Sequence, residues 1–372
     1  PSASSDAFAS SVPSDGDERD EYLAKWEIGV LTSIFVLTIV GNGLVLFALY
    51  LRKHRSRRKF TRMYFFIMHL SIADLLTGLL DVLPQLAWDI TFRFQGGAIL
   101  CKLVKFLQPF GLYLSSYVLT ATALDRYRAI CHPLSYCSTT SRRSRIMVYC
   151  AWIAAALLCT PQIYIFSYQE IVPHVWDCWA TFHPPYGERV YVTWYSVTVF
   201  LLPLIVLVYT YTGICVGIWN SNKFSGIVDF KKPEKHSSFG IPPGRTPFIS
   251  KAMINTVKQT IAVITLYIIT STPFIGCQLY ATWDPSAPSS PFFQGPTFTI
   301  LMLLSSLTSC VNPWIYLWFN RELRCVLASY FCGWDDYTLT REKDEQRGSS
   351  SRSSLISRIS KYASSVVVFR EK

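Results

Sequence analysis

Seven apolar segments separated by short polar connections constrain this chain more than any other feature of its sequence. We place them at residues 28–50, 64–88, 101–133, 146–166, 191–219, 252–283 and 297–319. Each is long enough for a helix to cross a bilayer, which takes about 20 residues. Hydrocarbon offers the backbone no hydrogen-bond partners, so a spanning segment satisfies its own amides as a helix. The sequence therefore predicts an all-α membrane protein, a bundle of seven transmembrane helices.

The basic side chains predict the orientation of this bundle. The formal net charge of +11 comes from Lys and Arg residues that cluster between the apolar segments, which argues against nucleic-acid binding. Seven of them fill the first connection, at Arg52, Lys53, Arg55, Arg57, Arg58, Lys59 and Arg62. Because basic connections face the cytoplasm, we predict a multi-pass protein of the plasma membrane with an extracellular N-terminus and a cytoplasmic C-terminus.

Four regions follow from this topology. Residues 1–26 are polar and acidic and are predicted to be a disordered extracellular tail, while residues 27–320 form the seven-helix domain. Residues 321–334 carry basic and apolar side chains at helical spacing, which is typical of an amphipathic eighth helix on the inner lipid leaflet. In that region Cys332 is a candidate palmitoylation site, with an inert thiol as the alternative. Residues 335–372 are a Ser-rich cytoplasmic tail.

Two of the eleven cysteines fall clearly on the extracellular side, Cys101 and Cys178. Disulfides form in that oxidising compartment. We predict that these two pair, which would tie the outer end of the third segment to the loop that follows the fourth.

The inner ends of the segments carry candidate switch residues. Asp125 and Arg126 are adjacent and can form an ion pair that is dry in one state and open in another; the alternative is an ion pair that only anchors the helix. Tyr127 follows them. On the seventh segment a Pro weakens the helix beside Tyr316, and Tyr211 on the fifth is placed to meet it through water. Interfacial packing is the alternative for both tyrosines.

Four polar residues are predicted to lie at one depth in the middle of the bundle: Asp74, Ser115, Ser309 and Asn312. A carboxylate in mid-membrane indicates a functional site, and oxygen ligands around one carboxylate are what a hydrated sodium ion accepts. The plainer alternative is a buried Asp74 that is hydrogen-bonded to Asn312. We expect no other metal and no cofactor.

Near the outer ends of the segments, polar residues recur that would face one cavity: Gln85, Lys105, Gln108, Gln162 and Gln278. Buried amide side chains need partners, and each can donate and accept hydrogen bonds. A ring of them suits a ligand rich in backbone amides, which is a peptide. Taken singly, each Gln is more typical of a hydrogen bond between helices.

These motifs resemble those of the rhodopsin-like G-protein-coupled receptors, and longer strings are similar to the vasopressin/oxytocin receptor family. The strings are residues 82–88, 89–94, 103–108, 128–131, 177–180, 191–194 and 310–316. Members of the family bind amidated nonapeptides closed by a disulfide ring. The resemblance implies that Glu27 contacts the ligand's tail, that the sodium site collapses on activation, and that Arg126 serves a G-protein switch. We also expect receptor kinases to phosphorylate the tail from Ser349 to Ser365 and arrestin to bind it, because residues 349–354 form a dense cluster of serines; a disordered spacer is the alternative.

The chain departs from the family at several pocket positions. The family usually has Gln where this chain has Asp81, and this second acidic group favours a cationic ligand. The family usually has Cys-Trp where this chain has Thr270 and Ser271, so this chain lacks a large aromatic side chain there. Phe274 remains as a candidate ligand contact. The family also usually has Asn where this chain has Thr308. Divergence of this size suggests an invertebrate branch.

Together these features predict a receptor for an oxytocin/vasopressin-like amidated cyclic peptide that activates heterotrimeric G proteins, mainly the Gq class that drives phospholipase C and calcium release. A receptor for another neuropeptide, of the crustacean cardioactive peptide or neuropeptide S type, is the first alternative. A transporter or pump would need a relay of charges along a pore, and beyond Asp74 and Asp81 the mid-membrane region is nearly uncharged. An enzyme is not expected, since no nucleophile-base pair or metal-ligand cluster is evident.

Overall fold

A computed structural model describes residues 21–55, 61–132, 142–229, 251–287, 290–294 and 296–332. The first span is α1 (Glu21–Arg55), and the second consists of α2 (Arg62–Thr77), a π-helical turn (Gly78–Val82) and α3 (Leu83–Thr91). The third span is α4 (Gly97–Cys131). The fourth consists of α5 (Arg142–Cys159) and α6 (Pro161–Ile165). A hairpin of β1 (Phe166–Val172) and β2 (Val175–Ala180) follows. The remaining elements are α7 (Gly187–Ser196), a second π-helical turn (Val197–Leu201) and α8 (Leu202–Asp229), then α9 (Lys251–Trp283), α10 (Pro291–Gln294), α11 (Pro296–Phe319) and α12 (Arg321–Cys332).

The prediction of a seven-helix membrane bundle is confirmed. Within the described residues, six helical stretches are long and apolar enough to cross a bilayer. The 24-residue α11 is the seventh, and it packs against α1 and α9. The short α12 has the one-sided character predicted for an amphipathic eighth helix, because Leu323 and Val326 are buried while Arg321 and Arg324 are exposed.

The third span, α4, lies at the centre of the bundle and contacts the second, fourth and fifth spans. Tyr113, Leu114 and Val118 are fully buried along it. Its close approach to the second span requires a glycine, because a Cβ at Gly111 would lie 2.7 Å from the backbone of Thr77. Thr77 directly precedes the π-helical turn, so this contact helps to position the residues that follow it.

The carbonyl of Val199, which Pro203 leaves without its helical hydrogen bond, joins three spans. Pro203 has no N–H to donate to the carbonyl four residues earlier, which belongs to Val199 in the second π-helical turn. That carbonyl accepts hydrogen bonds from the Ser116 hydroxyl at 2.9 Å and the Tyr267 hydroxyl at 2.8 Å. The fifth span is thereby bonded to the third and the sixth.

The first helix begins at Glu21, so residues 21–26, which the sequence assigned to the tail, are helical. Tyr22 and Trp26 lie one turn apart, and their rings meet edge to face at 6.2 Å. Such an i,i+4 aromatic contact stabilises a helix end. The rest of the two predicted tails, residues 1–20 and 335–372, lies outside the described residues.

The β-hairpin between the fourth and fifth spans is a feature that the apolar pattern does not predict. Its strands are antiparallel, with Tyr168 opposite Cys178. Cys178 forms a disulfide with Cys101 of α4, so the predicted pairing is confirmed. The bond fastens the hairpin to the end of the central helix.

Loss of this disulfide should destabilise the protein. The bond joins cysteines 77 residues apart, and the chain-entropy model gives about 4.5 kcal/mol for a loop of that length. Cys101→Ser and Cys178→Ser should each lower the melting temperature in detergent, and the double variant should lose no more than the worse single variant. Cys150→Ser, at an exposed free cysteine, is the control and should melt like the wild type. Additive losses in the double variant would contradict the pairing.

Candidate functional site

All eight residues predicted from the sequence to bind ligand line one cavity at the hairpin end of the bundle. Its volume is about 340 Å³, within the range of small-ligand pockets. The eight are Glu27, Asp81, Gln85, Lys105, Gln108, Gln162, Phe274 and Gln278. They come from five different spans, so the cavity forms only when the bundle closes.

The second span brings three polar residues to the cavity. Asp81 lies in the π-helical turn, and Gln85 and Asp89 follow at intervals of one helical turn. A π-helical turn contains one extra residue, which rotates the face that the following helix presents. The Gln85 amide donates a hydrogen bond to Asp89 at 2.9 Å. Sequence reasoning missed Asp89 as a cavity residue, although it begins one of the family-like strings.

Lys105, on the third span, is held between two aromatic rings. Its Nζ lies 4.3 Å from the centre of the Trp88 ring and 5.2 Å from that of Phe166. A cation over an aromatic face is stabilised by the ring quadrupole. Two carboxylates, Asp81 and Asp177, also attract this charge. The lysine therefore stays in the cavity wall although much of the lining is apolar.

Asp177 joins the hairpin to the loop after the second span. One of its oxygens lies 3.7 Å from the Arg93 guanidinium. The other accepts hydrogen bonds from the backbone N–H groups of Phe94 at 3.2 Å and Cys178 at 2.7 Å. With its carboxylate buried, Asp177 holds the loop and the hairpin together beside the cavity.

Two tyrosines of the fifth span complete the cavity. Tyr191 and Tyr195 both line it, and the Gln162 amide donates a hydrogen bond to the Tyr191 hydroxyl. The Oε1 of Gln162 is buried and has no hydrogen-bond partner within the described part of the chain. Sequence reasoning missed both tyrosines, and the one signal for them is that Tyr191 begins a family-like string.

The predicted sodium cluster is assembled at mid-bundle. The fully buried Asp74 accepts hydrogen bonds from the Ser115 hydroxyl at 3.1 Å and the Asn312 amide at 2.9 Å, and Ser309 lies beside the same carboxylate. The Ser71 hydroxyl and the Asn312 Oδ1 are buried without a hydrogen-bond partner in the described residues. Spare oxygens around a carboxylate suit a hard cation, so the donor set fits sodium. The plainer Asp74–Asn312 hydrogen bond is present as well.

The ion pair at the inner end of α4 is closed. Arg126 lies 2.5 Å from Asp125, and the Ser144 hydroxyl donates to the second Asp125 oxygen at 3.2 Å. Both charged residues are buried. The ring of Tyr127 packs against that of Tyr209 of the fifth span, with 5.8 Å between the ring centres.

The two other switch tyrosines lie near charged groups. Tyr211 lies close to Arg126, and Tyr316 close to Asp74. The Tyr316 hydroxyl is buried and has no hydrogen-bond partner among the described residues. The predicted contact of Tyr211 and Tyr316 through water stays a prediction.

The eighth helix is fixed to the first two spans by one acidic residue. Glu322 lies 3.2 Å from the Arg52 guanidinium and accepts a hydrogen bond from the Tyr64 hydroxyl at 2.7 Å. Cys332 is the last residue of α12. Its side chain lies outside the described residues, so its modification stays a prediction.

Comparison with known proteins identifies the family. A family model for the 7 transmembrane receptor (rhodopsin family) matches residues 41–316. The vasopressin V1b receptor of Mus musculus is 41% identical over 319 residues, which cover 82% of this chain and 75% of that protein. The isotocin receptor of Catostomus commersonii is 40% identical over 310 residues (82% and 77%), and the Homo sapiens vasopressin V1b receptor is 38% identical over 361 residues (92% and 84%). The chain belongs to the vasopressin/oxytocin receptor family of rhodopsin-type seven-transmembrane receptors.

Proposed function

We propose that this receptor binds an oxytocin/vasopressin-like amidated cyclic peptide in the cavity at the hairpin end, and that it activates heterotrimeric G proteins of the Gq class, with phospholipase C and calcium as the output. The observation that carries the proposal is the convergence of all eight predicted residues on one cavity. The names of the similar receptors refer to vasopressin and isotocin. A member of this receptor family is not an enzyme.

The chemistry of the cavity supports a peptide ligand. Four glutamines line it, at Gln85, Gln108, Gln162 and Gln278. Peptide bonds offer donors and acceptors in equal number, as amide side chains do. The buried Oε1 of Gln162, which has no partner in the described chain, is an acceptor that a ligand N–H would satisfy.

The proposal includes a direction across the membrane. The cavity faces the extracellular side of the plasma membrane, and the Asp125–Arg126 pair meets the G protein at the cytoplasmic side. The basic first connection supports this direction, because basic connections face the cytoplasm. The disulfide at the cavity end supports it too, because disulfides persist in oxidising compartments. Receptor kinases and arrestin would act on the Ser-rich tail, and lipid would contact α12.

Calcium mobilisation in transfected cells tests the proposal directly. Oxytocin-like and vasopressin-like peptides should evoke a response, while crustacean cardioactive peptide and neuropeptide S should not. A response to one of the latter pair alone would favour the neuropeptide alternative.

Truncating one amide of the cavity should weaken the peptide. Gln108→Ala leaves a ligand group unpaired, at about 1 to 3 kcal/mol, so potency in the calcium assay should fall roughly tenfold or more. Gln95→Ala removes an exposed Gln of the loop outside the cavity and should leave potency unchanged. Unchanged potency of Gln108→Ala would place the ligand elsewhere.

Glu27→Gln should weaken the potency of peptides with a basic tail residue more than that of peptides with a neutral one.

Sodium should oppose peptide binding through Asp74. A cation that binds better to the inactive state shifts the equilibrium away from the peptide-bound state. In wild-type membranes, peptide affinity should be lower in sodium chloride than in choline chloride of equal ionic strength. Asp74→Asn keeps the shape and removes the charge, so this difference should vanish. An equal sodium effect in the variant would show that Asp74 is only a hydrogen-bonded structural residue.

Arg126 should be needed for signalling but not for assembly. Arg126→Ala should abolish the calcium response while surface expression and peptide binding persist. Arg145→Ala, at an exposed position early in α5, is the matched control and should signal normally. Normal signalling by Arg126→Ala at equal surface expression would reduce the ion pair to a helix anchor.

A further inference from the structure

The cavity contains acidic groups at two depths. Glu27 on the first span and Asp89 near the end of the second line its outer part. Asp81 lies about two helical turns deeper on the second span, roughly 11 Å along the axis at 5.4 Å per turn. The two depths can therefore bind two different cationic groups of one ligand.

Asp81 lacks a close counter-charge. Lys105 on the facing wall attracts it, but no salt bridge joins the two in the described part of the chain. Lys105 is compensated from other directions, by the rings of Trp88 and Phe166 and by the charge of Asp177. Asp81 therefore shares the charge of Lys105 with Asp177, and its own charge is only partly compensated.

A carboxylate whose charge is only partly compensated is costly in a largely apolar wall of the empty receptor. A ligand ammonium would supply the missing charge and three hydrogen-bond donors. Lys105 restricts which ammonium fits, because it repels a cation and attracts a carbonyl oxygen. The ligand group must therefore combine an ammonium with a neighbouring carbonyl. The amino end of a peptide has this chemistry, since its α-ammonium is two bonds from the first carbonyl carbon, whereas a Lys or Arg side chain does not.

We propose that Asp81 binds the α-ammonium group of the peptide ligand, with Lys105 facing the adjacent carbonyl oxygen. This inference rests on the proposed function and adds to it a requirement for a free amino end. The requirement is particular to a chain with Asp at this position, because a Gln there carries no charge. A basic group elsewhere in the peptide would meet the outer acids, Glu27 and Asp89, which line the same cavity.

The test compares two peptides that differ by one group. Oxytocin and its analogue with hydrogen in place of the amino group compete for a labelled peptide on membranes. Wild type should bind the free-amine peptide at least tenfold more tightly. Asp81→Asn and Asp81→Gln remove the charge at similar size, and both should bring this ratio close to one. Glu27→Gln removes an acid of the outer level and should keep the wild-type ratio.

Equal affinity of the wild type for the two peptides would overturn the inference, whether or not the Asp81 variants reach the surface. An undiminished ratio in Asp81→Asn would overturn it too, because another group would then recognise the amine. Both results leave the proposed function intact, since the peptides still bind. Failure of both peptides to bind the wild type would instead count against the proposed function itself.

Discussion

A polar group inside a membrane bundle has no water to bond to, so its partner must come from the protein. This constraint explains how the spans are joined. The amide of Asn42 on the first span donates to the carbonyl of Thr38 and to that of Ser309 on the seventh, each at 3.0 Å. Asp74 joins the second span to the third and the seventh through Ser115 and Asn312. Candidate functional residues thus also hold the helices in register.

The same constraint made much of the fold and the cavity predictable. Lipid requires a minimum apolar length, so the spans could be read from the sequence, and fixed helical rise then places a residue at a depth counted from the end of its span. Gln85, Gln108 and Gln278 lie on three different spans, yet their positions along the spans sufficed to predict that they line one cavity. The Cys101–Cys178 disulfide followed from topology in the same way.

What the sequence could not predict depends on contacts between distant segments or on the direction in which an apolar side chain faces. The hairpin depends on Asp177 contacts and on a disulfide to another span. The turn at Gly78–Val82 adjoins the close approach of Gly111. Lipid is as apolar as a protein core, so hydropathy does not separate Tyr195, which lines the cavity, from Tyr209 on the same span, which is 65% exposed.

Around Ser271, where the resemblance leads us to expect a large aromatic residue, directional bonds join the sixth span to its neighbours. One residue earlier, the Thr270 hydroxyl lies 2.5 Å from that of Thr308, which joins the sixth span to the seventh. One turn before Ser271, the Tyr267 hydroxyl bonds to the Val199 carbonyl and lies 3.1 Å from Ser116. A large ring tolerates small sliding because its contact is spread over many atoms, whereas a hydrogen bond weakens steeply with angle and distance. A rigid sliding of the sixth span past its neighbours would strain both sets of bonds at once, and both lie on the helix that carries Phe274 to the cavity wall.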